Sequence, residues 1–116
     1  MQPDLYERLR LDLRVAIAAR DSLVVRTLRT AISAIDNARA VEVEDTGFHV
    51  GHSPDVPRRE LDHAAMSRVI EREIQERREA ATELAGLGAA DDAARLEHEI
   101  EVLTKYLSPA GEARSG

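Results

Sequence analysis

Four arginines carry the most suggestive chemistry in this chain. Arg26 and Arg29 are separated by one helical turn, and Arg77 and Arg78 are adjacent. A guanidinium is planar, permanently charged and able to grip two oxygens at once, which suits it to phosphate. At i,i+3 on a helix, Arg26 and Arg29 share one face. These four are the candidate RNA- or phosphate-binding residues. Tyr6, Phe48 and Tyr106 are the only aromatics, so the stacking platforms of single-strand binders are missing. A bound RNA is therefore expected to be held by its backbone and shape.

The acidic residues offer a competing chemistry. Glu71, Glu73, Glu76 and Glu79 fall within three turns. Glu76 and Glu79, at i,i+3, stand close enough to share a divalent cation, as in helical magnesium-dependent nucleotide hydrolases. Such a site needs a second acid pair on a partner helix, and Glu97, Glu99 and Glu101 do not supply one at i,i+3. Arg72, Arg77 and Arg78 are interleaved with these acids, and Glu73 with Arg77 makes an i,i+4 pair. A solvated, salt-bridged face without metal is expected.

His49-x-x-His52 followed by Asp55 has the residue types for zinc or nickel. No ordered third ligand accompanies them, so an exposed loop is expected. His63 and His98 are isolated and read as surface residues. The serines have no neighbouring His–acid motif of the kind nucleophilic catalysis uses. Gly86-Leu87-Gly88 matches neither dinucleotide-binding nor P-loop spacing. There is no cysteine, which excludes thiol catalysis, disulfides and thiolate zinc. The expectation is no catalytic residue, no cofactor and no metal.

The elements that position the arginines are helical. Pro3 and Asp4 open a first helix over about 4–20, in which Leu5, Leu9, Leu13, Ala16 and Ile17 recur every three or four residues. Arg8, Asp12 and Arg14 fall outside that stripe. Asp21 or Ser22 caps a second helix over about 22–39, with Leu23, Leu28, Ala31, Ile32, Ile35 and Ala38 on one face. So short a connection makes the two helices antiparallel. Residues 40–59 hold two glycines and two prolines with no helical period, which predicts a long irregular loop. A third helix, about 62–85, carries Met66, Val69, Ile70, Ile74, Ala81 and Leu84, with Leu61 before its cap and Arg77 interrupting the stripe. Gly86 and Gly88 stop it. Asp91 or Asp92 starts a fourth helix, about 91–107, with Leu96, Ile100, Leu103 and Leu107. Residues 110–116 are expected to form a flexible tail. The fold class is all-α, a four-helix bundle of two antiparallel hairpins spanning 1–109 as one domain.

Composition agrees. With 116 residues, 43% of them apolar, the chain is long enough for one self-sustaining core. No window is apolar enough to span a membrane, and the N-terminus lacks the cationic and apolar regions of a secretory signal, so a cytoplasmic location is expected. The net charge is −6, divided as +2 over residues 1–39 and −8 over residues 40–116. A uniformly acidic protein repels nucleic acid, whereas a locally basic surface on it still attracts phosphate.

Three segments together carry a family resemblance. They are Arg72-Glu73-Ile74-Gln75-Glu76-Arg77-Arg78-Glu79-Ala80-Ala81, the turn at Gly86–Gly88, and Glu97-x-Glu99-Ile100-x-x-Leu103-x-x-Tyr106-Leu107. With Arg20-Asp21-Ser22-Leu23 and Arg26-Thr27-Leu28-Arg29 before them, they resemble the YqeY family over about residues 5–109. The domain of that family also forms the tail of the B subunit of the glutamine-dependent tRNA amidotransferase. The resemblance implies a helical N-terminal subdomain, and a ligand that is tRNA or a tRNA-handling protein. The amidotransferase is a carbon–nitrogen ligase with glutamine as amido-N-donor, but its tail helps to hold tRNA while catalysis proceeds elsewhere. This chain shows no amidase nucleophile and no ATP site, so a non-catalytic binding module is expected. Family members follow Tyr-Leu directly with Pro and continue into a second helical subdomain. Here Ser108 intervenes before Pro109, and residues 110–116 hold no counterpart of that subdomain. The alternative is a protein–protein or oligomerisation module with no nucleic-acid role, suggested by the net acidity and the broad apolar face of the second helix.

Overall fold

The computed structural model describes residues 4–45 and 61–107. Four helices account for nearly all of them: α1 (Leu5–Ala19), α2 (Ser22–Asp45), α3 (His63–Gly86) and α4 (Ala90–Thr104). The described residues contain no strand.

Each helix boundary has a local cause. Asp4 caps α1 by accepting a hydrogen bond from the Glu7 backbone N–H at 2.8 Å. The far end closes at Arg20, which takes a left-handed conformation (φ 59°) and donates its N–H back to Ala16 and Ile17. That reversal lets Asp21 accept from the Val24 N–H at 3.3 Å and start α2 at once. Asp62 caps α3 through the Ala65 N–H at 2.9 Å. At the other end, the Ala89 N–H reaches back to the Leu84 carbonyl, and Gly88 supplies the positive φ of 84° that the turn demands. Asp91 and Asp92 occupy the first turn of α4 instead of capping it; there they complement the positive end of the helix dipole. The α-helix stops at Thr104, and i→i+3 bonds from Tyr106 and Leu107 tighten one last turn.

α2 is longer than its apolar stripe suggests. It continues through Asp45 instead of ending at Arg39, because Val41 to Asp45 include neither glycine nor proline. The first residue with a large intrinsic helix penalty is Gly47. The rest of the expected loop, with His49, His52 and Asp55, lies outside the described residues, as does the expected tail.

The single-turn connections at Arg20–Asp21 and Leu87–Ala89 pair α1 with α2 and α3 with α4 as antiparallel hairpins. α2 touches both helices of the second hairpin, and α1 touches α3. Leu5, Leu9, Leu28, Ile35, Met66, Ile70, Ile74, Ile100 and Leu103 make one buried core between the hairpins. Full burial of each such side chain stabilises by about 1.5–3 kcal/mol. Two departures from the sequence pattern matter for function. Ile17, nominally on the α1 stripe, is 47% exposed, whereas Tyr106 is buried in the core. No helix among the described residues is long and apolar enough to cross a membrane.

Candidate binding surface and the buried arginine

Both tyrosines tie α1 to its neighbours through their hydroxyls. Tyr6 donates to Asp36 of α2 at 2.9 Å, and the Arg39 guanidinium covers its ring at 4.4 Å. Tyr106 donates to Asp12 of α1, and Arg8 lies over its ring at 5.1 Å. Burial, the hydrogen bond to Asp12 and the Asp12 charge push the Tyr106 hydroxyl well above the ordinary tyrosine range, against a smaller opposing pull from Arg8.

Arg77 occupies a different setting from the other candidate arginines. Its position interrupts the α3 stripe because the side chain turns into the α3–α4 seam. Nε donates to Glu99 of α4 at 2.8 Å, and Nη1 donates to Glu73 one turn back at 2.8 Å and to the Glu73 carbonyl at 3.1 Å. The three side chains are only 12%, 8% and 14% exposed. Burial on its own depresses the Arg77 pKa, but the hydrogen bonds and charges of Glu73 and Glu99 outweigh it and raise the value. The Glu73–Arg77 pair thus forms as its spacing predicts, but inside the protein and with a third member, not on a solvated face. Its guanidinium is committed to carboxylates, which makes it a clamp between two helices.

The acids beside it do not converge. Glu79 accepts from Gln75 Nε2 at 3.1 Å, Glu76 borders a depression with Arg68 and Arg72, and Glu99 is taken up by Arg77. Among the described residues no group of three metal-ligating side chains comes together. Arg78 is exposed beside Glu79 and Glu83, so its surroundings are of mixed charge.

Arg26 and Arg29 are exposed on the outer face of the first hairpin, away from α3 and α4. They line an open cleft with Arg20, Ser22 and Ile17. Arg29 and Ile17 also line a second depression that continues along α1 past Arg14 and Arg10. The two meet at Ile17 and Arg29, and taken together as one groove they hold five arginines and, among the described residues, no carboxylate in the lining. Among the described residues none of these five pairs with an acid. The structure therefore separates the two arginine pairs: no residue lining the Arg26–Arg29 groove also lines the depression at Arg78. It adds Arg10, Arg14 and Arg20, which sequence reasoning passed over. Their signal was present in the i,i+4 spacing of Arg10 and Arg14, on the α1 flank that turns toward α2.

A family model described as Yqey-like protein matches residues 6–111. No curated protein and no solved structure matches the chain.

Proposed function

Because the chain belongs to the YqeY family, we propose that it is a non-catalytic helical binding module of the cytoplasm, acting on tRNA or a tRNA-handling protein through the outer face of α1 and α2. The observation that supports this reading is the groove holding Arg10, Arg14, Arg20, Arg26 and Arg29 with no acid among the described residues of its lining, on a protein of net charge −6. Placing five like charges side by side on an acidic protein costs electrostatic energy that an anionic ligand recovers. The amidotransferase tail resemblance supplies the class of ligand. Arg77 has no part in this role, since both neighbouring carboxylates already hold it.

The experiment is fluorescence anisotropy of labelled bulk tRNA across a salt series. Five phosphate contacts correspond to a slope of log affinity on log salt between about −3.5 and −4.5. Reversal of charge in an Arg26→Glu/Arg29→Glu variant then lowers affinity more than tenfold. Equal binding by that variant moves the ligand off this face. Absence of binding by the wild type at low salt removes RNA as the direct ligand and leaves the protein arm.

A second reading, a protein–protein module with no nucleic-acid role, is favoured by one specific observation. The groove floor is apolar, with Leu13, Ile17, Val25 and Ile32 between the arginines.

A further inference from the structure

The floor of the arginine groove discriminates between ligand classes. Leu13 and Ile17 stand at i,i+4 on α1, and Val25 and Ile32 at i,i+7 on α2. The two short apolar rows run along adjacent antiparallel helices, with Arg10 and Arg14 on the α1 wall and Arg26 and Arg29 on the α2 wall. Ile17 is 47% exposed and the other three are half-buried. A phosphodiester backbone satisfies the arginines but leaves this floor in water. Among the described residues no aromatic lines the groove to receive a base.

Range matters as well. The net charge of residues 40–116 is −8, and it repels a long polyanion that extends beyond the groove over a Debye length of about 8–10 Å. A ligand seated entirely within the groove meets the arginines first.

We propose that the occupant is an acidic amphipathic helix of a partner protein, laid into the groove as a third helix on the open side of the α1–α2 hairpin. Its apolar residues, at i, i+3 or i+4, and i+7, cover Leu13, Ile17, Val25 and Ile32. Its flanking carboxylates meet Arg10 and Arg14 on one side and Arg26 and Arg29 on the other. This inference rests on the binding-module reading above and selects its protein arm. A second copy of this chain is a poorer fit. Its acidic helices α3 and α4 turn their apolar stripes into the core, and the exposed large hydrophobics among the described residues are Leu11, Val15 and Ile17 on α1 and Leu87 in a turn.

The test uses the full chain and a labelled synthetic helical peptide, with leucines at i, i+3, i+4 and i+7 and glutamates flanking them. A control peptide has the same composition but leucines scattered around the helix. Binding of tRNA is measured on the same variants. The amphipathic peptide is expected to bind at least tenfold more tightly than the scrambled one. Ile17→Asp, at a half-exposed site, and Arg14→Glu, at an exposed one, each weaken it by tenfold or more, with unchanged helical circular dichroism. Should Ile17→Asp fail to fold, Arg14→Glu and the scrambled peptide still decide the matter. Equal binding of both peptides overturns the proposal and leaves only a charge contact. tRNA binding that is lost in Arg26→Glu/Arg29→Glu, kept in Ile17→Asp and accompanied by no peptide binding overturns it while sustaining the binding-module reading. Self-association abolished by Ile17→Asp overturns it in favour of a second copy. If neither tRNA nor peptide binds, both readings fall.

Discussion

Arg77 and the Arg26–Arg29 pair are the same residue type, on helices of one bundle, yet they stand in opposite electrostatic situations. Arg77 sits in the α3–α4 seam between Glu73 and Glu99, each at 2.8 Å. Arg26 and Arg29 stand in water among other arginines. The difference lies in the carboxylates within reach. A guanidinium bridged between two largely buried acids has its charge offset and its Nε and Nη1 donors taken, and removing it strands the charges of those acids. A guanidinium without an acid contributes little to folding and remains available. Arginine in a helical sequence is therefore ambiguous until its partners on other helices are known.

Replacing Arg77 breaks that comparison most severely. Arg77→Ala leaves Glu73 and Glu99 buried and uncompensated, and a loss of about 3–5 kcal/mol is expected in urea denaturation. Arg77→Met combined with Glu73→Leu and Glu99→Leu is expected to recover most of it, since well-packed apolar residues often replace a buried ion cluster without penalty. A triple variant as unstable as the single one would show that the clamp matters for more than charge compensation.

Tyr106 sharpens the same point from the side of a neutral group. Tyr106→Phe removes the hydrogen bond to Asp12 and should cost about 1 kcal/mol. The hydroxyl is held above its ordinary range in the folded protein, whereas an unfolded tyrosine ionises near pH 10. Above that pH the unfolded chain releases a proton that the folded chain keeps. Stability from this group is thus fully present below about pH 10 and falls as pH rises further. A pH series of thermal melts should show this decline in the wild type, and a shallower one in Tyr106→Phe. Asp62→Ala, which removes the α3 cap, is also expected to cost about 1 kcal/mol.

The smallest effect on folding is expected where the effect on binding is largest. Arg26→Glu/Arg29→Glu should change stability by no more than about 0.5 kcal/mol, because both side chains are exposed and lack acidic partners among the described residues. A large destabilisation would mean that the face is structural after all.

How far the sequence carried depends on the range of the interaction involved. Four helices, two hairpins and most core residues were legible because periodicity, caps and glycine stops act within a few residues. The end of α2 is less legible, because its apolar stripe fades near Arg39 while the helix itself continues to Asp45, with no glycine or proline before Gly47 to oppose it. The interruption at Arg77 was visible, and so was its i,i+4 partner Glu73. Glu99, 22 residues beyond Arg77, was not, since only the packing of α3 on α4 brings it there. In the sequence Arg14 simply falls outside the α1 stripe, and Arg10 carries no signal of its own beyond standing four residues before it. That they form one wall of a groove depends on α2 lying alongside. Ile17 illustrates the same limit, as its helical spacing matches the core residues while its position on the hairpin edge exposes it.

The most direct measurement is amide chemical-shift mapping of the full chain, titrated separately with bulk tRNA and with the acidic amphipathic peptide. The account predicts that whichever ligand binds perturbs residues from Arg10 to Ser33 along the outer α1–α2 face, and leaves Glu73, Arg77 and Glu99 unmoved. Shifts centred on α3 around Arg78, with the α1–α2 groove silent, would contradict it.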